Sequence, residues 1–335
     1  MYDWKCIPSV QYNNICVISV GNITVGGTGK TPFVECLIRL LSQNCRVAVL
    51  SRGYKRTTKG FHFVDSNAIP GEMGDEPYQI KRKFPDIIVA VDADRIRGIA
   101  NIRKIYPDTQ VILLDDAFQY RKIKPNLSIL LVDYNRPLYR DSMLPGGRLR
   151  EWSCFARRAD IMVVTKSPEG ITPNEQQDIK QHYARIFPHD LFFSTIRYGE
   201  PVSVFPNGKL LSTSDLKQYD VLLITGIAHP KPLEDYIRQY ATPVQKIIFP
   251  DHHAFSEKDI NQIAEKWNAI PSSSKILLTT EKDAVRLQQM KFPETIAKYS
   301  YYVPVEFRVL IKKNLFIRSL SVSLPPGKSY ATSSH

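Results

Sequence analysis

Apolar residues fall along this chain in short, nearly unbroken runs, separated by stretches in which they recur every three or four positions. The runs "ICVISVG", "RVAVLS", "DIIVAV", "VILLDD", "LSILLVD" and "DIMVVTK" are rich in valine, isoleucine and leucine. Strands buried on both faces of a parallel sheet read this way. Helical spacing lies between several of them, notably over 31–43 and 93–105. Strands alternating with helices predict an α/β fold with a doubly wound, mostly parallel sheet, here over residues 1–196.

After residue 194 the rhythm falters and restarts. "VLLITGI", "VQKIIFPD" and "KILLTTEKDA" are again strand-like, and helical patterns at 231–240 and 256–268 separate them. The reading is a second, smaller α/β domain over 197–335, joined through "TIRYGEPVSVF". The tail "PPGKSYATSSH" reads as disordered.

The first run leads into the most informative stretch, "VGNITVGGTGKTPFVECLIRLL". Gly26, Gly27 and Gly29 precede Lys30 and Thr31, after a strand and before an amphipathic helix. This is the context of a P-loop of the NTPase type, spanning Thr24, Val25, Gly26, Gly27, Thr28, Gly29, Lys30 and Thr31. Glycines let the backbone approach phosphate closely, and successive N–H groups at a helix start form an anion nest. Lys30 would reach the β- and γ-phosphates of ATP, and the Thr31 hydroxyl would ligate Mg2+. One departure is Thr24, where the strict pattern has glycine. A P-loop also calls for an acidic residue at a nearby strand end, to hold the metal shell. "VILLDDAFQ" supplies Asp115 and Asp116.

Composition narrows the rest. The net charge of +12 suits an anionic partner: nucleic acid, an acidic membrane surface or a phosphorylated substrate. No recognised nucleic-acid module and no aromatic–basic interleaving appears, so nucleic acid is not expected. The five cysteines, Cys6, Cys16, Cys36, Cys45 and Cys154, have no metal-type spacing and read as small apolar packing in a reducing compartment. No apolar run approaches the roughly 20 residues that span a bilayer, and the N-terminus is not a signal peptide.

P-loops serve ATPases, GTPases and kinases, so the acceptor must be read elsewhere. Four further stretches stand out: "SRGYKR" (51–56), "GDEPYQI" (74–80), "LPGGRLRE" (144–151) and "FPDHHAF" (249–255). With the P-loop, "DDAFQ", "GIAHP" and "TEKDA", in this order, they resemble the tetraacyldisaccharide 4'-kinase family of lipid A biosynthesis, over about residues 15–305. The resemblance implies transfer of the ATP γ-phosphate to the 4'-hydroxyl of an acylated glucosamine disaccharide 1-phosphate. It also implies peripheral attachment to the cytoplasmic side of the inner membrane.

Carried onto this sequence, the family pattern makes Asp115 and Asp116 the acidic pair near the metal, with Glu151 close to it. Asp75 of GDEP becomes the base and His252 its partner. The loose transition state of phosphoryl transfer needs positioning more than early deprotonation, so Lys30 and the metal ligands are expected to matter at least as much as Asp75. Structural readings stand beside these. GDEP equally reads as a helix start capped by Asp75, with Pro77 in its first turn. His252 and His253 are adjacent, and family position favours His252. Arg52, Arg148 and Arg150 suit either phosphate contacts or surface salt bridges. "TEKDA" reads as a strand-to-helix turn.

Two departures from the family pattern concern the membrane and the substrate. Against the family pattern, "MYDWKCIPS" resembles the last part of the usual N-terminal membrane segment, so the expectation is a segment that is shortened here, begins upstream of this sequence, or is replaced by another mode of docking. A cluster of Arg136, Arg140, Arg148, Arg150, Arg157 and Arg158 offers anionic lipid an alternative attachment. Arg148 also replaces a proline of the family loop. The competing reading is a P-loop GTPase or ATPase of metallochaperone or regulatory type. "VVTKSP" (163–168) has Thr165-Lys166, but Pro168 stands where the guanine-reading motif requires Asp.

Overall fold

A computed structural model of the chain describes residues 8–310, apart from 66, 190, 207–209, 242, 243 and 252, together with 316 and 320. The main strands are β1 (Cys16–Gly21), β2 (Val47–Ser51), β3 (Ile88–Val91), β4 (Val111–Asp115), β5 (Leu127–Asp133), β6 (Ile161–Thr165), β7 (Leu191–Tyr198), β8 (Asp220–Thr225), β9 (Val244–Ile248), β10 (Lys275–Thr280), β11 (Ser300–Val303) and β12 (Val305–Val309). The main helices are α1 (Lys30–Leu41), α2 (Asp75–Lys83), α3 (Arg95–Ile105), α4 (Pro173–Ala184), α5 (Lys231–Ile237), α6 (Glu257–Asn268) and α7 (Glu281–Leu287).

The chain divides into two units, one of Met1–Ile196 with Phe307–His335, the other of Arg197–Glu306. The second unit, expected over 197–335, therefore stops at Glu306. The boundaries fall inside β7 and β12.

The first unit is built on a nine-stranded sheet in the order β12-β7-β6-β5-β1-β4-β2-β3, edged by a short strand at His62–Phe63. The pairs from β7 through β3 are parallel, and the His62–Phe63 edge is antiparallel. Alternate side chains along each strand enter opposite cores, as a pleated strand requires. Ile18 and Val20 of β1 join Leu113, Ile129 and Leu131 in a core with Phe33, Val34, Leu37 and Ile38 of α1 and Ile80 of α2. On the other face Val17, Leu50, Ile112 and Leu114 pack with Ile99 and Ile102 of α3, while Leu130, Val132 and Met162 pack with Tyr183 of α4. Helices on both faces make the sheet doubly wound, so the strands carry no polar face to water. Near the end of the described chain, Phe307 stacks edge-on against Phe33 of α1, their ring centroids 4.9 Å apart.

The second unit has its own five-stranded sheet, ordered from a short strand at Val202–Ser203 through β11, β10 and β8 to β9. Its β11–β10, β10–β8 and β8–β9 pairs are parallel. Ile260, Ile263 and Trp267 of α6 cover one face, and Leu233 and Ile237 of α5 the other. The TEKDA stretch has an internal task here. Asp283, fully buried, accepts hydrogen bonds from the Gly226 N–H at 2.8 Å and the Thr280 hydroxyl at 2.7 Å, and pairs with Arg286 at 3.1 Å. It ties the start of α7 to the "GIAHP" turn after β8. Burial pushes its carboxyl above the usual range, against the pull of these partners.

Candidate active site

In a parallel sheet flanked by helices, ligands bind beyond the carboxyl ends of the strands, where the loops emerge. The P-loop leaves the end of β1 there and enters α1. Gly26 and Gly29 take φ of +101° and +84°, a region costly for residues with a β-carbon. Val25, Gly26 and Gly27 are exposed, whereas Thr28 and Thr31 are buried. Lys30 opens α1, and its ammonium lies 3.4 Å from the Asn22 side-chain oxygen and 3.6 Å from Asp116.

Asp115 ends β4 beside Val20 of β1, in parallel register, so the acidic pair and the P-loop share one end of the sheet. The two carboxylates differ in environment. Asp115 is buried and accepts a hydrogen bond from Ser51 at 3.2 Å, while its other oxygen has no hydrogen-bond partner among the described residues. Burial first, then the charges of Asp116 and Glu76, push its pKa up to about 6. Burial also raises Asp116, but Lys30 and Arg150 outweigh it and hold this carboxyl below the usual range. Asp116 has φ +46°, a strained conformation for a residue with a side chain.

The LPGGRLRE loop is fastened directly to the phosphate loop. Thr24 and Leu149 form an antiparallel bridge, with Val25 N–H donating to Arg148 O at 2.9 Å and Arg150 N–H donating to Ile23 O at 2.7 Å. This brings the Arg150 guanidinium to the Asn22 carbonyl at 2.9 Å and to Asp116 at 3.3 Å. Of the two uses open to Arg150, it serves an ion pair inside the site. Glu151 pairs with Arg158 and, at 3.6 Å, with Arg121. Among the described residues no three His, Cys, Asp or Glu side chains are grouped to hold a metal.

The SRGY and GDEP motifs meet. Gly74, at φ +96°, is the N-cap of α2, and a β-carbon there would lie 3.0 Å from the α-carbon of Gly53. Asp75 is the first helical residue, so the expected cap role falls to Gly74 instead. Pro77 sits in the first turn as expected. The buried Glu35 of α1 accepts from Gln79 of α2 at 3.0 Å and pairs with Lys83 at 2.7 Å, joining the P-loop helix to the helix that starts at Asp75.

His252 lies outside the described residues. His253 stacks on Phe249, ring centroids 4.6 Å apart, and shares a hydrogen bond with Asp259 at 3.0 Å, all within the second unit. The first seven residues, including most of "MYDWKCIPS", also lie outside the described residues.

Residues not singled out from the sequence complete the site. Asn22, fully buried, receives the Lys30 ammonium and the Arg150 guanidinium, and its carbonyl also accepts from Gln119 at 2.7 Å. Thr165 and Lys166, weighed above only as a failed guanine motif, reach the P-loop from β6. Nothing in their local spacing announces either contact.

The chain matches the family described as tetraacyldisaccharide-1-P 4'-kinase over residues 1–324. A protein named tetraacyldisaccharide 4'-kinase from Parabacteroides distasonis is 44% identical, over 95% of this chain and 90% of that protein. One of the same name from Porphyromonas gingivalis is 42% identical over 96% and 90%. The crystal structure of LpxK from Aquifex aeolicus in complex with ATP superposes with a TM-score of 0.72 at 26% identity, covering 97% of this chain and 93% of that one.

Proposed function

This chain belongs to the tetraacyldisaccharide-1-P 4'-kinase family, and from that membership we infer the task of its site. It is a kinase of lipid A biosynthesis that transfers the γ-phosphate of ATP to the 4'-hydroxyl of tetraacyldisaccharide 1-phosphate. The observation that carries the reading is the pairing of a phosphate loop with an acidic strand end, Lys30 lying 3.6 Å from Asp116. The metallochaperone or regulatory NTPase reading has no comparable support.

The exposed residues Gly26 and Gly27 and the N-terminus of α1 would hold the triphosphate, with Lys30 neutralising charge as it moves to the leaving group. The donor set at the strand end suits Mg2+: Asp115 offers a buried, unpartnered carboxylate oxygen, and Asp116 and Thr31 supply the hard oxygens such an ion prefers. An ion held by these residues would supply positive charge beside the phosphates. Asp75 is the proposed acceptor of the hydroxyl proton. A free carboxylate is a weak base at neutral pH, so the contribution proposed for Asp75 is mainly to aim the hydroxyl. The partnership of His252 with Asp75 rests on the resemblance.

Among the described residues no helix is long and apolar enough to cross a membrane. We propose that the chain works at the inner-membrane surface, with the arginine cluster contributing attraction to anionic lipid. Sedimentation with anionic vesicles at low salt tests this, and absence of binding there counts against it.

The transfer itself is tested with γ-labelled ATP and the disaccharide 1-phosphate in detergent, comparing the unmodified protein with Lys30→Ala and Asp75→Ala. Labelled lipid from the unmodified protein, lost in both variants, is the expected result. ATP hydrolysis without labelled lipid, and indifference to Asp75, would overturn it.

A further inference from the structure

An anion nest works only if consecutive peptide units point their N–H groups inward. Their carbonyls then point outward, and each needs a donor behind the loop. The P-loop carbonyls of Gly27 and Thr28 have such donors from the end of β6. The Thr165 hydroxyl, fully buried, donates to Thr28 O at 2.8 Å. The Lys166 ammonium donates to Gly27 O and, at 2.6 Å, to the Asp133 carboxylate at the end of β5.

Three features show that this arrangement is held by its surroundings. Lys166 has φ +58°, a conformation that a lysine keeps only where neighbouring contacts impose it. The side chain of Asp133 is only 8% exposed, so its charge is largely withdrawn from water and depends on Lys166 for compensation. Asp133 is itself fixed by the Asn135 N–H at 3.0 Å, and Tyr134 N–H donates to Thr165 O at 2.9 Å, locking β5 and β6 together where the loop rests on them.

We propose that Thr165, Lys166 and Asp133 form a clamp that pre-orients the phosphate loop, and that Lys166 is a positioning residue for ATP. Its ammonium fixes the peptide at Gly27 from behind, so the loop amides face the phosphates before the nucleotide arrives. Nothing among the described residues beyond its chain neighbours lies within 4 Å of where a β-carbon on Gly27 would stand, so no packing on that side holds the residue. The cost of ordering the loop is thereby met in folding and not at each binding event. The Thr-Lys pair, which without Asp at 168 cannot read guanine, acquires a use in supporting the loop.

The inference rests on the P-loop binding ATP, and its test separates the two. Lys166→Met keeps the aliphatic stem and removes the donor, and Asp133→Asn keeps the shape and removes the partner charge. ATP affinity is measured directly, by calorimetry with a non-hydrolysable analogue, beside the steady-state constants for both substrates and the melting temperature.

Lys166→Met should raise Kd and KM for the nucleotide about tenfold, in keeping with loss of a charge-assisted hydrogen bond. KM for the lipid acceptor should stay within about twofold of its starting value. Asp133→Asn should move the nucleotide constants the same way by less. Unchanged nucleotide affinity in a folded Lys166→Met protein would overturn the clamp, as would a fall in kcat and melting temperature with both KM values unmoved. Failure of the unmodified protein to phosphorylate lipid would sink the kinase reading while leaving the affinity comparison intact.

Discussion

Gly53 and Gly74 touch backbone to backbone, with no room for a side chain between them. A β-carbon on Gly74 would come 3.0 Å from the Gly53 α-carbon, and one on Gly53 would come 2.7 Å from the Met73 carbonyl oxygen. Both residues also have positive φ, +68° and +96°. The SRGY and GDEP motifs are therefore two sides of one contact, and that contact sets where the helix carrying Asp75 begins. Gly74→Ala should cost about 1–3 kcal/mol through strain and crowding, and should lower kcat by displacing the proposed base. Melting temperature and kcat should fall together; a variant with full activity and an unchanged melting point would show that this contact does not position Asp75.

Dependence on Mg2+ is the expected outcome of the role proposed for Asp115, one of whose oxygens has no hydrogen-bond partner among the described residues. Chelation with EDTA should abolish phosphate transfer, and added Mg2+ should restore it. In Asp115→Asn the Mg2+ concentration giving half-maximal rate should rise by about tenfold or more, since a hard cation prefers a charged oxygen. An Mg2+ titration that superposes on that of the unmodified protein would remove Asp115 from the metal site.

Acid stability should depend on Asp92 and Arg97. The Asp92 carboxylate follows β3, is fully buried, and accepts two hydrogen bonds from Arg97, each 2.8 Å. Burial raises its pKa, but the Arg97 bonds and the Asp94 N–H prevail, so the folded value lies below the ordinary one. A depressed carboxyl stabilises the fold above its unfolded pKa of about 3.9, and the contribution disappears as pH falls through the folded value. Arg97→Ala should move the acid-unfolding midpoint to higher pH, read by circular dichroism. An identical acid limb in the two proteins would refute the assignment.

The first-unit core should respond to Phe33, which packs between β1 and the ring of Phe307. Phe33→Ala should destabilise by about 3–5 kcal/mol, the usual cost of emptying so large a buried site. Denaturant unfolding measures it, and a loss below about 1 kcal/mol would mean the site collapses around the deletion.

Much of this architecture is legible in the sequence because it is written in local periodicity. Doubly buried strands give unbroken apolar runs, and a phosphate loop needs glycine, lysine and threonine adjacent in the chain. Asp115 and Asp116 are recognisable because a charged pair closes an apolar run. What escapes is set by partners distant in sequence. Lys166 reads as a degenerate guanine motif until its reach to Gly27, 139 residues away, is seen. The pairing of Glu151 with Arg121 and Arg158 is not legible in its local sequence either. Asn22 carries no signal, since its value lies in being buried where Lys30, Gln119 and Arg150 converge. The return of the chain at Phe307 is invisible for the same reason: one strand of ordinary composition does not say which sheet it joins.

That return has a consequence for how the protein is made. Synthesis runs from the N-terminus, so all of Arg197–Glu306 leaves the ribosome before Phe307 does. The second unit is contiguous in sequence and can close its sheet as soon as it emerges. The ATP-handling unit, although translated before it, lacks an edge strand and the ring that packs on Phe33 until the chain beyond Glu306 is made. The helix that follows its phosphate loop therefore gains the Phe307 contact late, and a chain arrested at Glu306 would carry every motif of the site on an unfinished core.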